Sequence, residues 1–193
     1  MRAVMREVPA HWLDERARLG HDRWDEVWEG VLHMVPPPSF VHQKVGSKLI
    51  AFLAPLLERR GIELFYETGL FRPGAGGKDY RVPDLMFLQA ERELDLARPH
   101  GIEGAPLSVL ELRSPDDESY EKLSFYAGLG VREVIVLEPT TRLVEIFRLA
   151  GATYLAVSAD DRGRLHAATI DARFHTVDGP RLRVECDGVA RDI

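Results

Sequence analysis

The chain has 193 residues, 45% hydrophobic and 29% charged, enough for one domain with a real core and too few for two ordinary ones. No stretch approaches the roughly 20 apolar residues that span a bilayer, and the start Met1-Arg2-Ala3-Val4 lacks the apolar run of a secretory signal. A lone Cys186 excludes an internal disulfide and fits a reducing, cytoplasmic compartment, while a net charge of −6 argues against nucleic-acid binding by bulk charge.

In chain order, residues 9–19 read as a short amphipathic helix, and Asp25 to Val35 as two short strands around the Glu29-Gly30 turn. Pro36-Pro37-Pro38 ends that ladder. Val41, Val45, Leu49, Phe52, Leu53 and Leu56 then recur every three or four residues, which predicts a long helix over 39–60 with Ser39 as N-cap and Gly61 as stop. Strand-like runs follow at 62–68, 70–72 and 82–89, the last two separated by the loop Pro73-Gly74-Ala75-Gly76-Gly77. Residues 90–106 are charged and irregular. A strand at 107–113, a helix at 118–129 and a strand at 132–137 have the length of a βαβ crossover, so those two strands should be parallel. Short antiparallel hairpins are expected after Pro139. The whole is one α+β domain spanning 1–193, a mixed sheet carrying helices, with a core at about 25–140 and a β-rich extension at 141–193.

Few catalytic arrangements survive inspection. No glycine-rich phosphate loop leads into a helix, the seven histidines show no metal spacing, and nothing marks Cys186 as a nucleophile. The acids of the central strands are different. Alternation puts Val82, Asp84 and Met86 on one face of their strand, and Leu107, Val109, Glu111 and Arg113 on one face of theirs. An unpaired carboxylate in such a strand costs several kcal/mol, so a cation, a metal or a proton must compensate it. A bland reading pairs Glu111 with Arg113 and lets Asp84 cap the turn after Pro83. On the next helix Lys122 and Tyr126 share a face, and Glu118, four residues before Lys122, is a candidate surface partner. Of the 25 cations 21 are arginine, so the four lysines, Lys44, Lys48, Lys78 and Lys122, stand out. Lysine, unlike arginine, can deprotonate and act as a compact point charge.

Pro83-Asp84 followed by Glu111-Leu112-Arg113 on successive strands resembles the PD-(D/E)XK nuclease pattern. More closely, the chain resembles the Uma2 (DUF820) family of restriction-endonuclease-like proteins. The resemblance rests on Trp28-Glu29-Gly30, Pro37-Pro38-Ser39 with His42, Tyr80 to Asp84, Val109 to Pro115, Lys122, Tyr126 and Gly130 to Pro139. It implies a restriction endonuclease-like αβββαβ core, Mg²⁺ (or Mn²⁺) held by Asp84 and Glu111, and hydrolysis of DNA. Arg113 replaces the lysine of the broader nuclease signature, and Lys122 on the following helix is expected to substitute for it. Glu67 is a candidate third or supporting acid, Glu29 and His42 match family positions, and Tyr126 is expected to pack or hydrogen-bond beside Lys122.

Lys44 and Lys48 share a helix face, and Lys78 and Arg81 flank the glycine-rich loop, so these four are the candidate DNA-phosphate contacts. No aromatic residue is expected to interleave with them. Two rivals remain open: a nuclease-like module that binds nucleic acid or a protein partner without cutting, and a structural homodimer joined through the β-rich tail. A homo-oligomer is expected in any case, with a dimer favoured and no membrane partner.

Overall fold

The computed structural model describes residues 3–5, 9–113 and 118–193, so Ser114 and Pro115 of the motif lie outside the described residues. The chain runs β1 (Ala3–Met5), α1 (Ala10–Leu19), β2 (Glu26–Trp28), β3 (Val31–Met34), α2 (Phe40–Glu58), β4 (Ile62–Tyr66) and β5 (Leu70–Phe71). It continues through β6 (Tyr80–Arg81), β7 (Leu85–Gln89), α3 (Glu93–Leu96), β8 (Ala97–Arg98), β9 (Gly101–Glu103), β10 (Ser108–Leu112) and α4 (Leu123–Leu129). After α4 come β11 (Glu133–Leu137), β12 (Val144–Ala150), β13 (Thr153–Ala156), β14 (Leu165–Ala167), β15 (Ala172–Val177), β16 (Arg181–Cys186) and β17 (Val189–Asp192).

A six-stranded sheet in the order β13-β12-β11-β10-β7-β4 forms the centre, and β10 and β11 are parallel, as the crossover length requires. A second sheet, β1-β3-β2-β6-β5-β9-β8, carries the β2–β3 hairpin, and β14–β17 make a third. The stretch 90–106 is less irregular than its composition suggests, because it contains α3 and the β8–β9 hairpin. The helix expected at 118–129 is shorter: residues 119–122 form turns, and α4 starts only at Leu123. Among the described residues no helix is long and apolar enough to cross a membrane.

Alternation sorts the central strands between two cores. Leu85, Phe87, Leu110, Leu112, Ile135 and Leu137 face α2, where Val45, Leu49, Leu53 and Leu57 are fully buried. Met86, Val109, Val134 and Val136 face α4 with Phe125 and Tyr126. Leu107 belongs to the α2 side, not to the Val109 face, because the regular strand begins at Ser108. Each fully buried aliphatic side chain contributes up to about 1.5–3 kcal/mol, so these two layers fix the sheet rigidly. Gly46 lets α2 approach β10: a Cβ there would sit 3.2 Å from Leu112 Cδ1. Ser39 caps α2 as expected, its Oγ accepting the His42 N–H at 3.3 Å.

The C-terminal sheet is tied to the core through Glu133, which is 1% exposed at the start of β11. Its Oε1 accepts Arg148 Nη2 at 2.7 Å and its Oε2 accepts the Thr169 N–H at 2.7 Å, while Thr169 Oγ1 donates to buried Ser108. Removing the cation leaves a buried carboxylate short of its counter-charge. Arg148→Met is therefore expected to lower the unfolding free energy by about 3 kcal/mol in urea titrations. Arg183→Met, which breaks an exposed pair with Asp192, should leave stability nearly unchanged.

Candidate active site

β7 begins at Leu85 and not at Val82 as expected, so Asp84 lies one residue before the strand. Because Leu85 pairs with Leu110 of β10 in antiparallel register, Asp84 comes next to Glu111. Asp84 does not cap the turn after Pro83. Its Oδ2 accepts the Leu112 N–H at 2.7 Å across the sheet, and its Oδ1 lies 3.0 Å from His42 Nε2. Glu111 points toward α4 and is 3% exposed. Tyr126 Oη donates to its Oε1, and Lys122 Nζ lies 3.2 Å from its Oε2. The pairing with Arg113 does not occur: the Arg113 guanidinium lies 5.1 Å from the centre of the Tyr120 ring instead.

Lys122 is placed at the turn entering α4, one residue before its first helical position. It is not a surface ion pair with Glu118, whose carboxylate lies 2.9 Å from His33 Nδ1. Lys122 Nζ instead bridges Glu111 and Glu26, the latter at 2.9 Å. Glu26 is the site residue missed in the sequence. Only 2% exposed on β2, it also accepts Trp28 Nε1–H and the Val82 N–H, both at 2.8 Å. A carboxylate in the short run Glu26-Val27-Trp28 was the available signal. Glu29, the acid singled out by the resemblance, is exposed in the hairpin turn with φ 50° and contributes only its backbone N–H, to Asp79.

The first turn of α2 closes the other side. His42 reaches Asp84, and its Nδ1 is buried with no hydrogen-bond partner among the described residues. Gln43 Nε2 donates to Glu67 Oε1 at 3.0 Å, and Gln43 Oε1 accepts the Tyr66 hydroxyl. The Glu67 side chain is only 4% exposed, with Arg23 at 3.4 Å, and its backbone N–H donates to the Asp84 carbonyl. Glu67 is thus a buried neighbour of the pair, not an exposed strand acid.

Of the candidate phosphate contacts, Lys44 and Lys78 are exposed and Lys48 is half-buried. Arg81 does not belong with them. It is 5% exposed, 3.0 Å from Asp79, and packed over the rings of Trp28 and Phe125. Cys186 is buried beside Arg60, consistent with a packing role.

Four acids, Glu26, Glu67, Asp84 and Glu111, gather around Lys122 and the largely exposed Arg23. Burial pushes the Glu111 carboxyl up from 4.5 to about 8, with Asp84 and Glu26 adding to the rise and Lys122 and Tyr126 opposing it. Burial alone would lower the Lys122 pKa, but Glu111 and Glu26 raise it well above the ordinary value, so the ammonium keeps its proton. Burial likewise works against a charged His42, yet Asp84, Glu67 and Glu111 together raise its pKa. Burial lifts the Tyr126 hydroxyl, and the adjacent Glu111 lifts it further.

This surplus of hard oxygen donors suits a divalent cation such as Mg²⁺, which keeps several waters and needs only one or two carboxylates. Among the described residues no group of three or more His, Cys, Asp or Glu is arranged around a common metal position. A cation bound here would have at most the two carboxylates of Asp84 and Glu111 and would keep most of its waters.

The profile of the Uma2 family, described as "Putative restriction endonuclease", matches residues 16–172. A crystal structure from Anabaena variabilis ATCC 29413, described as "a putative nuclease belonging to DUF820", is similar with a TM-score of 0.58 and 19% identity. The likeness covers 75% of this chain and 83% of that one, and at such identity it shows the fold: a restriction endonuclease-like α+β core. No curated protein matches the sequence.

The Glu111 environment sets a pH dependence. A carboxyl whose proton affinity rises on folding adds stability that is complete below pH 4.5 and is lost as the pH climbs through about 8. In metal-free buffer the wild type should therefore lose stability relative to Glu111→Gln across that window, and Mg²⁺ should narrow the gap. Denaturant midpoints taken at steps of pH check this; parallel curves for the two proteins contradict it.

Proposed function

The chain belongs to the Uma2 family, and we propose that it is a metal-dependent endonuclease hydrolysing DNA phosphodiester bonds at Asp84, Glu111 and Lys122. One observation carries the reading: the buried Glu111 carboxylate, beside Asp84, is held by Lys122 and Tyr126 rather than by Arg113. Glu133, a structural carboxylate, is satisfied by Arg148 and the Thr169 N–H, with no second acid among the described residues sharing its cation. Here acids outnumber cations in a space that burial isolates from water.

Asp84 and Glu111 would hold Mg²⁺ (or Mn²⁺), which when bound lowers the pKa of a water and neutralises charge on a phosphate. The side chains divide the remaining work. Leu112 N–H and His42 fix both oxygens of Asp84, and Tyr126 fixes one oxygen of Glu111, so the pair is oriented before substrate arrives. Lys122 stays protonated between Glu111 and Glu26 and serves as a fixed positive charge for the phosphate oxygens, not as a general base. Arg113 is directed away to Tyr120 and takes no part at Glu111. Glu26 and Glu67 hold Lys122 and Gln43 in place.

A specific observation favours a second reading. Glu111 is 3% exposed with both oxygens engaged, as expected of a nuclease-fold module that binds nucleic acid or a protein partner without cutting. In either case the proposal includes a homodimer, supported by the exposed Leu143 and Leu155 in the β-rich part, and a reducing, cytoplasmic setting, supported by the single buried Cys186.

Cleavage of linear, supercoiled and branched DNA in Mg²⁺ or Mn²⁺ tests the reading. The wild type should cut at least one form, Asp84→Asn and Glu111→Gln should abolish cutting, and Lys122→Met should slow it about 100-fold or more. Cutting that survives both acid substitutions contradicts the assignment, and no cutting of any form by any preparation favours the binding module.

A further inference from the structure

The outer face of α2 joins two features that the site itself does not use. Phe40 is 80% exposed, whereas the other seven phenylalanines are buried or half-buried. It opens α2, two residues before His42, on the opposite side of the same first turn. An exposed phenylalanine at a helix start has no packing reason to be there. Lys44 follows Phe40 by one turn and Lys48 by two, about 6 and 12 Å along the axis. From Gly30 to Leu57 the sequence has no acidic residue. Neither lysine has an ion-pair partner among the described residues. An aromatic therefore does stand beside these cations, contrary to the expectation from the sequence.

A flat aromatic ring in water beside a row of unpaired ammonium groups matches the chemistry of single-stranded nucleic acid: the ring takes an unpaired base, the cations take the backbone. Continuous duplex keeps its bases stacked and offers nothing to Phe40. The helix is only about 10–12 Å across, so a strand stacked on its outer side reaches Asp84 by crossing the first turn of α2. We propose that the outer face of α2 binds an unpaired stretch of DNA, with a base on Phe40 and phosphates on Lys44 and Lys48, and delivers the adjoining backbone to Asp84 and Glu111. The delivery part rests on the nuclease reading; the binding part does not.

The test is fluorescence anisotropy without divalent metal, using labelled single-stranded and blunt duplex oligonucleotides of equal length. Wild type should bind the single strand more tightly. Phe40→Ala should weaken that binding about five-fold or more, since base stacking on an aromatic is worth ~1–3 kcal/mol. Phe40→Trp should restore it. Lys44→Ala with Lys48→Ala should flatten the salt dependence by roughly 0.7 log units per lysine. Equal binding of the two forms, or an unaltered single-strand affinity in Phe40→Ala, overturns the proposal. So does a Phe40→Ala protein that changes only its oligomeric state in sedimentation, which would assign Phe40 to a subunit contact. A protein that cuts DNA yet binds both forms equally loses this surface and keeps the nuclease reading. One that holds single strands through Phe40 and cuts nothing keeps the surface and loses the nuclease.

Discussion

A carboxylate buried in the central sheet governs the architecture around it. Glu111 lies on β10, the strand flanked by β7 and β11, where an apolar side chain would pack without penalty. Leaving its charge uncompensated would cost several kcal/mol, a large part of the net stability of a domain this size. The surrounding elements supply the compensation from three directions. The turn entering α4 brings Lys122, α4 itself brings Tyr126, and β2 brings Glu26 to hold Lys122 from behind. Glu26 is itself held in place by the Trp28 Nε1–H and the Val82 N–H, so the second sheet presents a fixed acid to that ammonium.

The compensation is incomplete. Lys122 is shared between two acids, and Asp84 stands beside Glu111 with its own oxygens held by Leu112 N–H and His42. Burial is the main reason the proton affinity of Glu111 rises, with Asp84 and Glu26 adding to it, while that of Lys122 rises despite burial because Glu111 and Glu26 favour its charge. A bound divalent cation would offset this excess of carboxylates, and the proposed metal dependence rests on that property. It also reverses the meaning of the overall charge. A total of −6 disfavours bulk attraction to DNA, yet several of the acids counted in it gather at one place where a divalent ion would neutralise them.

Glu111 was legible because a period of two needs no tertiary knowledge, and Lys122 because it is one of four lysines in an arginine-rich chain. Asp84 was singled out by the same alternation, although β7 begins one residue after it. The parallel β10–β11 pair followed from the crossover length, and the long helix from its apolar period. Partners across the fold were not legible. Arg81 reads as a cation beside a glycine-rich loop, and only the folded chain reveals Asp79, Trp28 and Phe125 closing over it. Glu26 and Glu29 are three residues apart in one hairpin. Which of them turns inward depends on where β2 meets β6, a register that local sequence does not encode. Phe40 belongs to the same class, since its exposure depends on which face of α2 the sheet happens to cover.

The central claim is that Asp84 and Glu111 form one divalent-metal site. A crystal of the wild type soaked in Mn²⁺, measured for anomalous scattering, tests it most directly. The account predicts a peak within coordination distance of both carboxylates, absent from Asp84→Asn crystals treated alike. Saturating Mn²⁺ with no peak at this pair, or a peak that persists in Asp84→Asn, would contradict it.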